Sequence, residues 1–361
     1  MKNIVIFIVF SVIIMSFGRI EKEILDDVEV STAVGYDYIG KHKIEATAVM
    51  PVIKPDKSIE NMTLSSTGNI SKETLNKINH KSFYPIVNGK LDVAIYSKKL
   101  AKQGLHDYID TIHRDPSVGT RIILTIVDGN AKELLTDQYA PVDTGIYLSK
   151  LLENNMKKGL LPTSNLHTFL TAYYTKGIDP FLPLIKKDGK EIKISGIALF
   201  KDSHYVKSIP FENLFVFKAL NEDLKLGGRK VTIKSHGKTE YVSVLGINTK
   251  KKITVHHQKS NPEIHIHLKV TGYIREFTGQ VLNQQIIEKT AKELESKIDS
   301  QATSMIKDFQ KSNIDPIGLG MEVRSRTRGW DYKKWKKQYP NLKVTVSSET
   351  NISEIGVVDG R

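Results

Sequence analysis

Three groups of side chains have the types and spacing that chemistry needs. His106, Asp110 and His113 stand at i, i+4 and i+7, so on a helix they share one face and could hold a divalent metal. No glutamate completes a hydrolase motif beside them, and the plainer reading is a solvated helix face. His256, His257, His265 and His267 could also gather around a metal. However, His265 and His267 alternate with Ile264, Ile266 and Leu268, which makes them the polar side of a strand. Asp107, Asp110 and Asp115 could be imagined as paired acids for glycoside cleavage, but closeness in sequence says nothing about the separation that this reaction needs across a cleft. The chain shows no nucleophile elbow, phosphate-cradling glycine loop or zinc-protease helix motif. It also has no cysteine, which excludes thiol catalysis, thiolate metal sites and thioether lipidation. The sequence therefore reads as non-catalytic, with no cofactor and no metal.

A different kind of chemistry is concentrated between Arg324 and Tyr339. Seven cations, Arg324, Arg326, Arg328, Lys333, Lys334, Lys336 and Lys337, are interleaved there with Trp330, Trp335 and Tyr339. Indole rings favour the lipid head-group level and cations favour anionic lipid, so the segment is a candidate membrane or partner surface. The competing reading packs both tryptophans onto a preceding long helix and leaves the lysines in water. The chain as a whole carries a formal charge of +13 over 361 residues. Such an excess suits phospholipid, wall polymer or nucleic acid, or serves solubility alone.

The first stretch decides among those partners. Lys2 precedes an apolar run from Ile4 to Phe17, broken only by Ser11 and Ser16, which is the layout of an export signal. As a helix it would reach about 21 Å, short of the roughly 30 Å hydrocarbon core. A cleaved or tethering segment over residues 1–18 is the expectation, and export sets nucleic acid aside. Without disulfides, stability must come from packed cores.

The remaining chain predicts a mixed α+β, multi-domain fold. Strands over 28–37 and 43–53 form a hairpin, residues 56–70 read as a polar loop insertion, and Ser71 opens a short helix. Strands at 91–95 and 121–127 alternate with helical spacing at 104–114, 131–135, 142–158 and 163–175, which indicates an α/β layer. The Pro- and Lys-rich stretch Pro180 to Lys190 looks like a boundary. It divides an N-terminal domain (19–185) from a small middle one (190–248) and a C-terminal one (249–361). In the last, Ile287, Ala291, Leu294, Ile298, Ala302, Met305 and Phe309 form one apolar stripe along a helix at 280–312. That helix is expected to lie across an antiparallel sheet built from 253–258, 264–274 and 342–352.

Read in order, short stretches along nearly the whole chain resemble the C subunits of bacterial spore germinant receptors, the Ger(x)C or GerAC-like family. They include Ala33-Val34-Gly35-Tyr36-Asp37, Arg114-Asp115-Pro116, Val127-Asp128-Gly129-Asn130-Ala131 and Gly196-Ile197-Ala198-Leu199-Phe200-Lys201. Asp315-Pro316-Ile317-Gly318-Leu319-Gly320, Trp330, Trp335, Tyr339-Pro340 and Ile355-Gly356 follow. The weight lies in the ordered set, since no single motif is specific. The resemblance implies a subunit on the outer face of the spore inner membrane, assembled with an A subunit and a polytopic B subunit. Together they would couple nutrient binding to ion release. Arg19 stands where the family carries its lipidated cysteine and Ile20 where it carries tryptophan, so that anchor cannot form here. An exported binding protein for anionic wall polymer or a small ligand is the alternative. Retention of the apolar run as a tether is favoured, because an anchor raises the effective concentration of partners. Intact-mass measurement on the membrane fraction is expected to return the uncut chain, and a mass beginning at Arg19 would remove the tether.

Overall fold

The computed structural model describes residues 27–41, 43–225, 227–235, 237–256 and 261–354. The N-terminal apolar segment, Arg19, His257 and Ile355-Gly356 lie outside these residues. The first half forms β1 (Glu29–Val30), β2 (Ala33–Gly40), β3 (Lys43–Ile53), β4 (Ile59–Gly68), α1 (Ser71–Asn79), β5 (Ile86–Val87), β6 (Val93–Ser97), α2 (Lys98–Ala101), α3 (His106–His113) and β7 (Ile123–Val127). It continues through α4 (Ala131–Thr136), α5 (Thr144–Lys157), α6 (Leu166–Tyr174), β8 (Phe181–Asp188), β9 (Glu191–Lys201) and β10 (His204–Pro210). After α7 (Leu214–Asn221) come β11 (Gly227–Ser235), β12 (Lys238–His256), β13 (Glu263–Phe277), α8 (Gln284–Lys311), α9 (Leu319–Arg326), α10 (Tyr332–Gln338) and β14 (Lys343–Glu354). The mixed α+β class expected from the sequence is what the chain adopts.

Two large sheets organise these elements. The first has eight strands in the order β10-β9-β8-β7-β6-β2-β3-β4, and its centre, β2-β6-β7-β8, is parallel. Every residue of β6 and β7 is buried, as parallel strands covered on both faces require. Alternation then sorts them. Val93, Ile95, Ile123 and Val127 face one core, while Ala94, Tyr96, Leu124 and Ile126 face the other. The second sheet has four strands in the order β11-β12-β13-β14. Its first three are antiparallel, but β14 lies parallel to β13. The three helices between them supply the crossover that a parallel pair needs.

Two stretches differ from expectation. Residues 56–70 are not a loop insertion; most of them form β4, paired along its length with β3. Their Ser and Thr content suits an edge strand, and Met62 and Leu64 still pack onto the core. The boundary stretch Pro180 to Lys190 is largely β8, hydrogen-bonded to β7 on one side and β9 on the other. Residues 185–190 are the end of β8 and the turn into β9, within one sheet.

The long helix α8 behaves as its stripe predicts. Asn283 caps it by accepting the Ile286 N–H at 3.0 Å, and Leu294, Ile298, Ala302 and Phe309 are buried. Ala291 is only half-buried, and Thr290 takes its place inward. The helix crosses the small sheet from β14, whose Thr350 N–H meets the Glu295 carboxylate at 3.2 Å, to β11, where Arg229 meets Gln301 at 2.7 Å. Between the sheets runs α7, buried from Leu214 to Leu220. Its Phe217 ring meets Phe181 of β8 at 5.2 Å and Phe309 of α8 at 6.2 Å, so a run of aromatic rings links the large sheet to the helix that crosses the small one. Replacing Phe309 by alanine is expected to destabilise the protein by about 3–5 kcal/mol, read as a lower urea midpoint with an unchanged slope.

Candidate docking surface

The basic segment is α9, α10 and the turn between them, and its position is fixed from below. Asp315, 4% exposed, accepts the N–H groups of Leu319 at 3.0 Å and Gly320 at 2.7 Å, satisfying the first donors of α9. Its own N–H donates to Asp179 at 2.7 Å, and Asp179 also receives the Lys201 ammonium at 2.9 Å. Asp179 precedes β8 and Lys201 ends β9, so this node bolts the basic segment to the large sheet. Gly177 and Gly320 lie back to back. A Cβ on Gly320 would stand 2.6 Å from the Gly177 Cα and 2.7 Å from the Trp335 indole nitrogen. Gly177 also has φ +95, a left-handed value that side chains rarely adopt.

Trp335 fills the space the two glycines leave. It is 4% exposed and packs on Tyr339 with ring centroids 5.4 Å apart. Tyr339 donates to the Ile314 carbonyl at 2.7 Å, and Gln310 of α8 donates to the carbonyls of Tyr339 and Leu342. A head-group role for Trp335 is therefore corrected: its ring is core, as the packing alternative predicts. Trp330 is half-buried, 6.5 Å from Trp335, with the Arg324 guanidinium 5.9 Å from its ring. The seven cations all face outward. Arg326 pairs with Glu322, and Lys336 lies 5.4 Å from the Tyr332 ring. Asp331 caps α10 through the Lys334 N–H at 2.6 Å, which sets four lysines on a single short helix.

Beside this helix lies a cavity of about 270 Å³ bounded by Pro262, Thr327, Arg328, Trp330 and Lys334. The Trp330 indole N–H and the Thr327 hydroxyl are buried there without hydrogen-bond partners. Arg328 and Lys334 bring positive charge to its lining, which suits a small anionic group. A second cavity, about 180 Å³, sits under α1 and α3, with Val34, Tyr36, Ile78 and Ile112 in its floor and Asn76, Asn79 and Asp115 at its rim.

The residues first considered for catalysis do other things. His106 pairs with Asp107 at 3.0 Å, and Asp110 with Arg114 at 2.6 Å, a hydrogen bond that holds the Asp110 carboxyl below the usual range. Asp115 receives Asn88 at 3.0 Å and the Ser117 hydroxyl at 2.6 Å. His265 and His267 form a ladder with Thr345 and Ser347 of β14 at 2.9 and 3.1 Å. Among the described residues, no group of three or more His, Asp or Glu could hold a metal. Sequence reasoning passed over Asp179 and gave Lys201 only a place in a resembling stretch, because only folding brings them to Asp315.

Comparison with known proteins fits this arrangement. Residues 21–187 match the family described as spore germination protein N-terminal domain, and residues 195–356 match spore germination B3/GerAC like, C-terminal. The chain is 30% identical to the spore germination protein GerQC of Bacillus cereus over 99% of its length and 100% of that protein. It is 22% identical to spore germination protein KC of Bacillus subtilis (strain 168), covering 81% of the chain and 78% of the relative. The crystal structure of the GerBC protein shares the fold at TM-score 0.58 and 14% identity, covering 88% of this chain and 96% of that one. Two matched regions joined through one sheet mark a spore germination protein. The chain belongs to the GerAC-like, germinant receptor C-subunit-like family.

Burial pushes the Asp315 carboxyl up to about 7, against the pull of its Gly320 and Leu319 N–H partners, with Asp179 adding repulsion. Unfolded, it would titrate near 4, so the folded state holds an extra proton between roughly pH 4 and pH 7. Its contribution to stability is full below that window and lost as pH rises through it. Asp315→Asn is expected to remove this slope when denaturant midpoints at about pH 5 and about pH 8 are compared. It should also cost roughly 1–3 kcal/mol at the acidic end, since its amide turns a donor toward an N–H.

Proposed function

We propose that this chain is the non-catalytic C subunit of a nutrient germinant receptor. It works at the outer face of the spore inner membrane, beside an A subunit and a polytopic B subunit. The observation that carries this reading is the end-to-end likeness to GerQC of Bacillus cereus. The geometry supports it as well. The buried Asp179 and Asp315 carboxylates are occupied with backbone donors and a lysine, and the most distinctive surface is an array of cations, Arg324, Arg326, Arg328, Lys333, Lys334, Lys336 and Lys337.

In this reading the subunit docks and stabilises, and its affinity comes from contact area and charge. The cations on α9 and α10 meet an anionic surface, either lipid or an acidic partner face, while the node at Asp315 keeps them in place. Among the described residues no helix is long and apolar enough to cross a membrane. The cavity beneath α1 and α3 favours the alternative, an exported protein that binds a small ligand without any receptor. Affinity purification of the native protein from spore membranes separates the two. The receptor reading expects two integral membrane proteins to be recovered with it, and severalfold less of them with Lys333, Lys334, Lys336 and Lys337 all changed to Glu. Recovery of no membrane partner would defeat it.

A further inference from the structure

Four of the large exposed apolar side chains fall in two segments that flank one point of the fold. Phe83 is 86% exposed and Tyr84 38%, and their rings meet edge to face at 4.7 Å in the loop before β5. Ile53 is 72% exposed and Val52 40%, at the end of β3. The short strand β1 joins these segments. Glu29 donates its N–H to the Pro85 carbonyl at 2.9 Å, and β1 runs parallel to β5. Thr32 donates to the Val49 carbonyl at 2.9 Å, three residues before Val52. The chain therefore enters the described fold between the two apolar tips.

Cations surround the same point. Lys81 precedes the aromatic loop, Lys90 follows β5, and Lys54 and Lys57 lie in the β3–β4 turn, all exposed, with Asp27, Glu60 and Asp92 as exposed acids nearby. Lys54 pairs with Glu60, Lys81 reaches the Ser65 carbonyl at 2.6 Å, and Asp56 is the one exposed acid within that turn. Exposed aromatic and aliphatic tips among charged residues that include four lysines have the composition of a surface that settles at the head-group level of a bilayer. The direction of the chain agrees. The apolar run ending at Phe17 lies about ten residues before Asp27, at most about 35 Å of extended chain.

We infer that the Phe83–Tyr84 loop and the Val52–Ile53 end of β3 form the face that rests on an anionic lipid bilayer. The inference builds on the membrane location proposed above, but it puts the lipid contact here and leaves the cations of α9 and α10 for a protein partner. The Phe83 and Ile53 side chains enter the head-group layer, and the lysines hold the anionic lipid around them.

The absence of native cysteine makes the test direct. Single cysteines are placed in the full chain as Phe83→Cys, Lys190→Cys and Lys333→Cys and given an environment-sensitive fluorophore. Lys190 lies in the turn between β8 and β9, at the opposite end of the parallel strands from the start of β2. Vesicles are phosphatidylcholine doped with phosphatidylglycerol and a nitroxide lipid. The expected result is quenching and a blue shift at position 83, with positions 190 and 333 still in water. Phe83→Ser with Ile53→Ser should weaken vesicle binding roughly tenfold, without changing the denaturant midpoint. A chain that sediments with vesicles while the label at 83 stays in water overturns the inference and leaves the receptor reading intact. So does quenching at 333 alone. A chain that does not sediment with the vesicles at all counts against any direct lipid contact, whereas the receptor reading is judged by recovery of its protein partners.

Discussion

Four aspartates taken out of water constrain the rest of this structure. Asp37, Asp143, Asp179 and Asp315 are each less than a tenth exposed, and a buried carboxylate must be met by donors. Each is met by the backbone. Asp37, within β2, accepts the Ala131 and Lys132 N–H groups that open α4, both at 2.8 Å. Asp143 accepts Ile146 at the start of α5 and the Thr32 hydroxyl. Asp315 does the same for α9, and Asp179 ties it back to the large sheet. Three of the four fix where helices begin, although Asp143 Oδ2 is buried without a hydrogen-bond partner.

That economy explains why the basic surface is orderly. Short, positively charged helices repel themselves, so α9 and α10 need support from elsewhere. The support comes from Asp315 at one end, the Gly177–Gly320 contact in the middle and Trp335 with Tyr339 underneath. The tryptophan that composition alone would assign to a lipid surface is instead the wedge that holds the lysines outward.

Much of this was legible in the sequence, for identifiable reasons. Strand β7 and helix α8 announced themselves because burial on both faces and a strict apolar stripe leave little choice of period. The hairpin of β2 and β3, and most of the shorter helices, were readable from turn residues and spacing. Strand β4 escaped because an edge strand can be built from Ser and Thr, whose composition matches a loop. Strand β8 escaped because Pro183 stands inside it, a residue that argues against an inner strand. The pairing shows why it is tolerated: the ladder to β7 begins only at Leu184. The node under the docking surface was unreadable in principle, since Asp179 and Asp315 are 136 residues apart and neither carries a local signal of the other. Trp335 was readable only as one of two options, because a five-residue interval does not say which way the rings point.

The parallel pairing of β14 with β13 has a consequence for the order of assembly. All strands of the large sheet lie before α7, so that sheet can close on its own core while the remaining chain is still being delivered. The small sheet cannot, because its outer strand follows α8, α9 and α10 and must travel back to a neighbour laid down long before. Loop-closure entropy for such a distant pairing is met late, after the helix that will cover the sheet has formed. Until then α8 has an apolar stripe with one of its sheet's four strands missing, and the C-terminal half is the part of the nascent molecule most in need of protection.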